Sequence, residues 1–277
     1  MFQVTGSRHL ARLSKAPFLV RRFGSFQSSR LLIPEVARET RLSRFLVQFL
    51  ARHEARFRLR DSTVLWLRPF SMDLGIFHEV WDHERYTAGS ISTVARDGTV
   101  VDIGAHIGLF SVFASRTLHA RRIISVEPDP ANFELLSRNT SANHIEGALV
   151  NAAVAGESGE RRIYNNPSNT GGHSFYARGT SSILVRTVSL AELFKSSGVS
   201  ECSLLKMDCE GAEMEVLENA PDELLKIISA IAFEYHLDAY LPERLEKLQK
   251  RLERFGFLLE VRPTGKTLGI LRGICRG

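Results

Sequence analysis

The stretch Val100 to Gly108, VVDIGAHIG, constrains this chain more than any other. Val100, Val101 and Ile103 are β-branched residues suited to a strand covered on both faces. Leu109, Phe110, Val112, Phe113 and Leu118 recur at helical spacing just afterwards. A strand, a glycine-lined turn and a helix in that order make a βα unit. Gly104 and Gly108 let a ligand come close to bare backbone, and the free N–H groups at the helix start favour electronegative ligand atoms.

The second strand indicates the ligand. Arg122 to Val126, RIISV, ends in Glu127, about 20 residues beyond the glycines, where an acid accepts hydrogen bonds from both hydroxyls of a ribose. A dinucleotide fingerprint wants three glycines to admit a pyrophosphate, whereas here the middle of the turn is Ala105, His106 and Ile107. Asp102, just before the first glycine, repels a pyrophosphate but tolerates the ammonium of an amino-acid tail, which points to S-adenosylmethionine.

Charge is unevenly spread over the 277 residues, whose formal net charge is +5. Residues 1–60 carry 13 Lys/Arg against 3 Asp/Glu, a net +10, leaving −5 for the remainder. The body is thus mildly acidic, which disfavours a broad nucleic-acid face there and assigns any anionic partner to the N-terminal arm. Residues 1–34 hold six Lys/Arg and no acid; they read as a basic arm of a cytoplasmic protein, with a mitochondrial-type targeting segment as the alternative. Between Glu35 and Phe57, Leu42, Phe45, Leu46, Phe49 and Leu50 share one helical face. Such a helix packs on its own domain or on a second subunit, or else lies on a membrane. A homodimer through this helix follows from the second option. Cys202, Cys209 and Cys275 have no metal-ligand or redox spacing, so a reducing compartment is expected, and no apolar run is long enough to span a membrane.

Further along, residues 63–69 read as a strand, and Ser71 caps a short helix carrying Leu74, Ile76, Phe77, Val80 and Trp81. Residues 130–143 read as a helix and Ala148 to Val154 as the third strand. Glu160 to Tyr164 and Ile183 to Val188 flank a glycine- and asparagine-rich loop, Asn165 to Thr180. Leu190 to Phe194 starts a helix, Leu204 to Met207 is the fourth central strand, Gly211 to Glu218 a helix and Ile227 to Glu234 the fifth strand. Leu241 to Phe255 is a charged amphipathic helix, and Phe257 to Val261 with Thr267 to Leu271 closes the sheet as an antiparallel pair. Alternating strands and helices predict an α/β fold with a doubly wound, Rossmann-like sheet: an arm and helix over residues 1–60, then one domain over 61–277.

In an open α/β sheet the ligand lies beyond the carboxyl ends of the strands. Strand four ends in Lys206, Asp208, Glu210 and Glu213 around Gly211, strand five in Glu234, Tyr235 and His236, and the long loop offers His173 after Gly171 and Gly172. Glu213 has a plain role at a helix N-terminus and Lys206 one as the partner of an acid. Asp208 sits where strand four points at the reactive end of the cofactor.

Together these segments resemble the FkbM family of S-adenosylmethionine-dependent methyltransferases. VVDIGAHIGLFS, ISVEPDPANFELLSRN, NAAVAGESGERRIY, GGHS, VRTVSL, LLKMDCEGAEMEVLE and FEYH occur in the family's order and spacing, from about Leu65 to Leu271. The resemblance implies a seven-stranded methyltransferase fold acting on a hydroxyl of a sugar or polyketide-like product. It implies that Asp102, Gly104 and Gly108 line the methionine tail with Ala105 beside them, that Glu127 holds the ribose, and that Pro128 and Ala153 flank the adenine. His106 stands where the family more commonly has Asn, and Cys209 where it has Val.

The expected chemistry is in-line transfer of an activated methyl to an oxygen, in which alignment supplies roughly 7 to 11 kcal/mol and a positioned base a further factor of about 10² to 10⁴. Asp208 is the first candidate base, then His173, with Glu210 and His236 as alternatives. Carboxylates 208, 210 and 234 could instead hold a divalent metal, but spacing alone gives no coordination geometry, so none is assigned. The rival readings are a nicotinamide dehydrogenase, a non-catalytic S-adenosylmethionine-binding adaptor, and an RNA methyltransferase recruited by the basic arm.

Overall fold

The computed structural model describes residues 54–69, 71–165, 181–236 and 242–276. The expected N-terminal arm and helix, the loop bearing His173, and residues 237–241 lie outside them. Among the described residues no helix is long and apolar enough to cross a membrane. The chain divides into two compact units, Met1–Asp82 and His83–Gly277.

In the first unit, β1 (Ala55–Arg58) pairs antiparallel with β2 (Val64–Leu67), followed by α1 (Asp73–Trp81). Helix α1 begins at Asp73 with Met72 at the cap position, so the hydroxyl of Ser71 serves one residue earlier than expected. It accepts from the Asp73 N–H at 3.1 Å and donates to the Arg68 carbonyl at 2.8 Å. Asp73 is fully buried and meets the Arg68 guanidinium through two bonds, Nε to Oδ2 at 3.0 Å and Nη2 to Oδ1 at 3.1 Å.

The second unit is the α/β body. It runs α2 (Ile91–Val94), β3 (Thr99–Ile103), α3 (Leu109–Thr117), β4 (Arg122–Val126), α4 (Pro130–Ala142), β5 (Gly147–Val150), β6 (Ala153–Ala155), β7 (Gly159–Asn165) and β8 (Ser181–Ser189). It continues with α5 (Leu190–Ser196), β9 (Leu204–Met207), α6 (Glu213–Asn219), α7 (Asp222–Lys226), β10 (Ala230–His236), α8 (Pro242–Arg254), β11 (Phe257–Pro263) and β12 (Leu268–Cys275). Seven strands form one sheet in the order β11, β12, β10, β9, β3, β4, β5. The five from β10 to β5 are parallel, and β12 runs antiparallel between β10 and β11. The doubly wound reading and the antiparallel closing pair both hold.

Local chemistry accounts for the elements. The Asp129 side chain caps α4 by accepting from the N–H groups of Ala131 and Asn132, with Pro130 at the first helical position. Helix α8 buries Leu245, Leu248 and Leu252 and turns its charges outward. Strands β3 and β9 are buried on both faces, as central parallel strands are. From β3 the chain winds outward through β4 and β5, then returns to lay β9 on the other side of β3. The strand order therefore reverses between β3 and β9, which places a ligand crevice at their carboxyl ends.

The expected third strand, residues 148–154, is two strands. β5 ends at Val150, where the Asn151 side-chain amide donates to the carbonyls of Glu127 at 2.8 Å and Pro128 at 3.2 Å. That hook turns the chain out of the sheet. β6 then joins β8 and β7 in a separate three-stranded sheet, where Ala153 packs with Ile163 and Val185.

The Arg68–Asp73 pair makes a prediction. Arg68→Ala leaves a buried carboxylate without its cation and should cost about 3 to 5 kcal/mol. Trp66 and Trp81, the chain's two tryptophans, both lie in this unit, so urea unfolding followed by their fluorescence reads it directly. An unchanged midpoint would show the pair to be dispensable.

Candidate active site at the ends of strands β3, β4, β9 and β10

The glycine turn is shaped by the protein itself. Gly104 has φ +70°, and a Cβ there would lie 1.8 Å from the Asp208 carbonyl oxygen. Gly108 has φ +82°, and its Cβ would lie 2.7 Å from Leu136 Cδ1 on α4. Neighbouring elements press on the turn at both positions, a reason for glycine that stands beside the expected approach of a ligand. The turn's amides are also largely committed. Gly104 and Ala105 donate to the Val126 carbonyl at 3.0 and 2.9 Å, Gly108 donates to Ala105, and His106 donates to Glu127 Oε2 at 2.9 Å.

Asp102, expected to face an ammonium, faces one supplied by the chain. It is fully buried, with Oδ1 3.0 Å from Lys206 Nζ and Oδ2 accepting from the Ser111 hydroxyl at 2.7 Å. Lys206 also donates to the carbonyls of Gly104 at 2.9 Å and Ile103 at 3.3 Å. Burial alone would lower the lysine's pKa, but the carboxylates of Asp102 and Asp208 outweigh it and leave the ammonium held above its ordinary value. Lys206 is thus both an ion-pair partner and a clamp on the turn.

Glu127 ends up where the sequence places it, just past β4. Its Oε2 accepts from His106 and its Oε1 from the Asp129 N–H at 2.9 Å, and the Asn132 side chain adds a further hydrogen bond. A carboxylate has about four lone-pair sites, so room remains for a ribose hydroxyl. Burial pushes its pKa from 4.5 up to about 7. Pro128 follows it, with its carbonyl held by Asn151.

At the ends of β9 and β10 the acids meet. Glu213, fully buried, accepts from the N–H groups of Cys209 at 2.8 Å and Gly211 at 2.9 Å and so folds the loop after β9; this is why α6 starts at Glu213 and not at Gly211. His236 lies between two acids, Nδ1 3.4 Å from Glu213 Oε1 and Nε2 3.4 Å from Glu210 Oε2. Burial would lower the imidazole, yet the hydrogen bond and charge of Glu213, with Glu210 and Asp208, raise it to about 9. Glu210 itself rises to about 8, through burial first and the charge of Asp208 second. The Cys209 thiol is pushed up by burial, the environment of a small hydrophobe.

Two residues that the sequence reading missed complete the site. Arg85 pairs with Glu234, and the hydroxyl of Tyr86 donates to Asp208 Oδ2 at 2.8 Å. The other oxygen of Asp208, Oδ1, is shut off from solvent and has no hydrogen-bond partner among the described residues. Neither Arg85 nor Tyr86 lies in a motif; their only signal was a polar pair shortly before the first βα unit. Asp208, Glu234 and His236 also bring one ligand atom each to within 4.8 Å of one another, a set that replaces Glu210 by His236 relative to the trio read from the sequence.

Gly104→Ala should cost about 1 to 2 kcal/mol through its left-handed backbone and about 1 to 3 kcal/mol more through the clash with Asp208. Gly89, also left-handed at φ +70° but with open space around a Cβ, provides the control: Gly89→Ala should show the backbone part alone. Equal thermal midpoints for the two variants would remove the close approach of β9.

Known proteins with this pattern are methyltransferases. Residues 102–259, over half of the chain, match the methyltransferase FkbM domain. "Methyltransferase 1" of Beauveria bassiana is 26% identical over 160 residues, which are 50% of this chain, and the chain spans 64% of that protein. The 31-O-demethyl-FK506 methyltransferase FkbM of Streptomyces tacrolimicus is 25% identical over 193 residues, covering 58% of this chain and 74% of its own. Among solved structures, the methyltransferase FkbM of Methylobacillus flagellatus aligns with 97% of this chain and 60% of its own at 14% identity, with a TM-score of 0.43. The match over the sheet, the turn and the acids at the strand ends makes this chain a member of the FkbM methyltransferase domain family.

Proposed function

We propose that the chain is an S-adenosylmethionine-dependent methyltransferase that acts on a hydroxyl of a small sugar-like or natural-product acceptor, with Asp208 as the base. The observation that carries this reading is the state of Asp208 at the carboxyl ends of β3 and β9: its Oδ2 accepts from the neutral Tyr86 hydroxyl, and among the described residues its side chain makes no ion pair. The relative from Streptomyces tacrolimicus, named for 31-O-demethyl-FK506, supports an oxygen acceptor.

The residues fit the cofactor. Glu127 retains acceptor capacity for a ribose hydroxyl, and the β4–α4 turn at Pro128, pinned by Asn151, is placed for the adenine side. The turn around Gly104 and Ala105 bounds the methionine tail, with Asp102 acting on it through Lys206. When bound, the sulfonium supplies an already activated methyl group. The protein then has to align the acceptor oxygen, keep water out and remove one proton, and the Asp208 carboxylate is the group that takes the proton. Glu210 and His236 form an ion pair beside it at the ends of β9 and β10. His173 remains a second candidate on the strength of its sequence position.

The convergence of Asp208, Glu234 and His236 favours one alternative role for the same carboxylate, as ligand to a divalent ion that lowers the hydroxyl's pKa. Two cations, Arg85 and His236, already stand among these acids, which weighs against it.

Glu127→Ala should weaken binding of S-adenosylhomocysteine by about 1.5 to 3 kcal/mol, and unchanged calorimetric affinity in a folded variant would remove the ribose assignment. The pH dependence has a definite sign. Glu127 gains its proton as pH falls through about 7 and loses acceptor capacity, so wild-type affinity should be weaker at pH 6 than at pH 8. In Glu127→Gln that slope should vanish; if it persists, another group titrates.

Asp208→Asn keeps the shape and removes the charge. Methyl transfer should fall by about 10² to 10⁴ with cofactor affinity nearly unchanged. The acceptor for the assay comes from comparing methylated metabolites in cells with and without the gene. If a chelator abolishes wild-type turnover and Mg²⁺ or Mn²⁺ restores it, the metal role replaces that of base, and full turnover in the variant excludes both.

A further inference from the structure

Tyr86 belongs to none of the motifs, yet it touches both halves of the site. Its ring is buried, meets Phe110 edge-on at 5.7 Å between centroids, and lies 5.3 Å from Lys206 Nζ, within reach of a cation–π contact. Lys206 in turn clamps the cofactor turn through Asp102 and the Gly104 carbonyl. The hydroxyl at the far end of the same ring donates to Asp208 Oδ2. A single rigid side chain therefore spans from the ammonium under the turn to the carboxylate at the end of β9.

An aspartate at a strand end turns broadly about its terminal torsion, and a carboxylate free to turn presents either oxygen in many directions. One bond from a phenol locked between Phe110 and Lys206 selects a single orientation. A cation at the same place would also fix the carboxylate, but by favouring its charged form it would make it a poorer proton acceptor. A neutral donor sets direction at a smaller loss of basicity.

We propose that Tyr86 is the positioning residue of the methyl-transfer site, holding the Asp208 carboxylate in one orientation through Oδ2. This rests on the reading of Asp208 as the base. Tyr86 acts through Asp208 and takes no proton itself: burial, then the charges of Asp208 and Glu234, hold the phenol well above its ordinary pKa, with Arg85 opposing only in part.

The test uses the full chain as wild type, Tyr86→Phe, Asp208→Asn and the double variant. Tyr86→Phe keeps the ring on Phe110 and Lys206 and removes only the donor. The turnover probe is a deproteinised small-molecule extract of cells lacking the gene, supplied with methyl-labelled S-adenosylmethionine. Tyr86→Phe should lower kcat by about 10-fold while KM for S-adenosylmethionine stays unchanged, and should cause no further loss in the Asp208→Asn background. Full turnover in Tyr86→Phe beside an impaired Asp208→Asn overturns the positioning role alone, whereas full turnover in Asp208→Asn overturns the base reading beneath it. Equal losses in both backgrounds also overturn the proposal, since Tyr86 would then act independently of Asp208. A readout without any acceptor decides the contact itself: the phenolate absorbance step that vanishes in Tyr86→Phe should move to lower pH in Asp208→Asn. A step that does not move overturns the proposal even where the extract yields no labelled product.

Discussion

The site depends on one buried ion pair, Lys206 with Asp102. Both side chains are sealed from water, where a lone charge is costly and only a paired and hydrogen-bonded one is tolerated. The pair meets that condition from both ends: Ser111 occupies the other oxygen of Asp102, and two turn carbonyls and the faces of two aromatic rings surround the ammonium. Because Asp102 is on β3 and Lys206 on β9, satisfying these charges fixes the register of the two strands at the point where the sheet reverses its winding. Gly104 follows from that register, since the backbone of β9 comes so close that no side chain fits there. The glycine turn and Asp208 are thus parts of a single packing arrangement.

Much of this was legible in the sequence. β-branched runs gave the central strands, acids at strand ends gave Glu127 and Asp208, and the amphipathic pattern of residues 241–255 gave helix α8 to within a residue at each end. Each of these is a local signal, in which residue type and spacing carry the physics. What escaped depends on contacts between distant segments. Nothing near Val150 announces that Asn151 reaches back to Glu127 and Pro128, so the break between β5 and β6 was read through as one strand. Tyr86 and Asp208 are 122 positions apart, and the role of a tyrosine is set by what its hydroxyl reaches rather than by its neighbours in the chain. The two glycines show the same limit in reverse: the sequence signals that they are needed, but it does not say whether a ligand or a neighbouring strand needs them.

The charges at the carboxyl ends of the strands separate acids that have a cation partner from Asp208. Asp102 has Lys206, Glu234 has Arg85, and Glu210 and Glu213 share His236. A carboxylate in contact with a cation is a weak proton acceptor, because the partner favours its ionised form. Asp208 differs: among the described residues its side chain makes no ion pair, and its hydrogen bond comes from a neutral phenol. Like charges disfavour ionisation at Glu210, which burial and the charge of Asp208 raise to about 8. Glu213 holds the loop, Asp102 the turn and Glu234 pairs with Arg85, whereas Glu210, raised to about 8, stands beside Asp208 as a second proton acceptor. Under the proposed reading the proton of the acceptor would go to Asp208, whose side-chain hydrogen bond among the described residues comes from the neutral Tyr86 hydroxyl and fixes its direction.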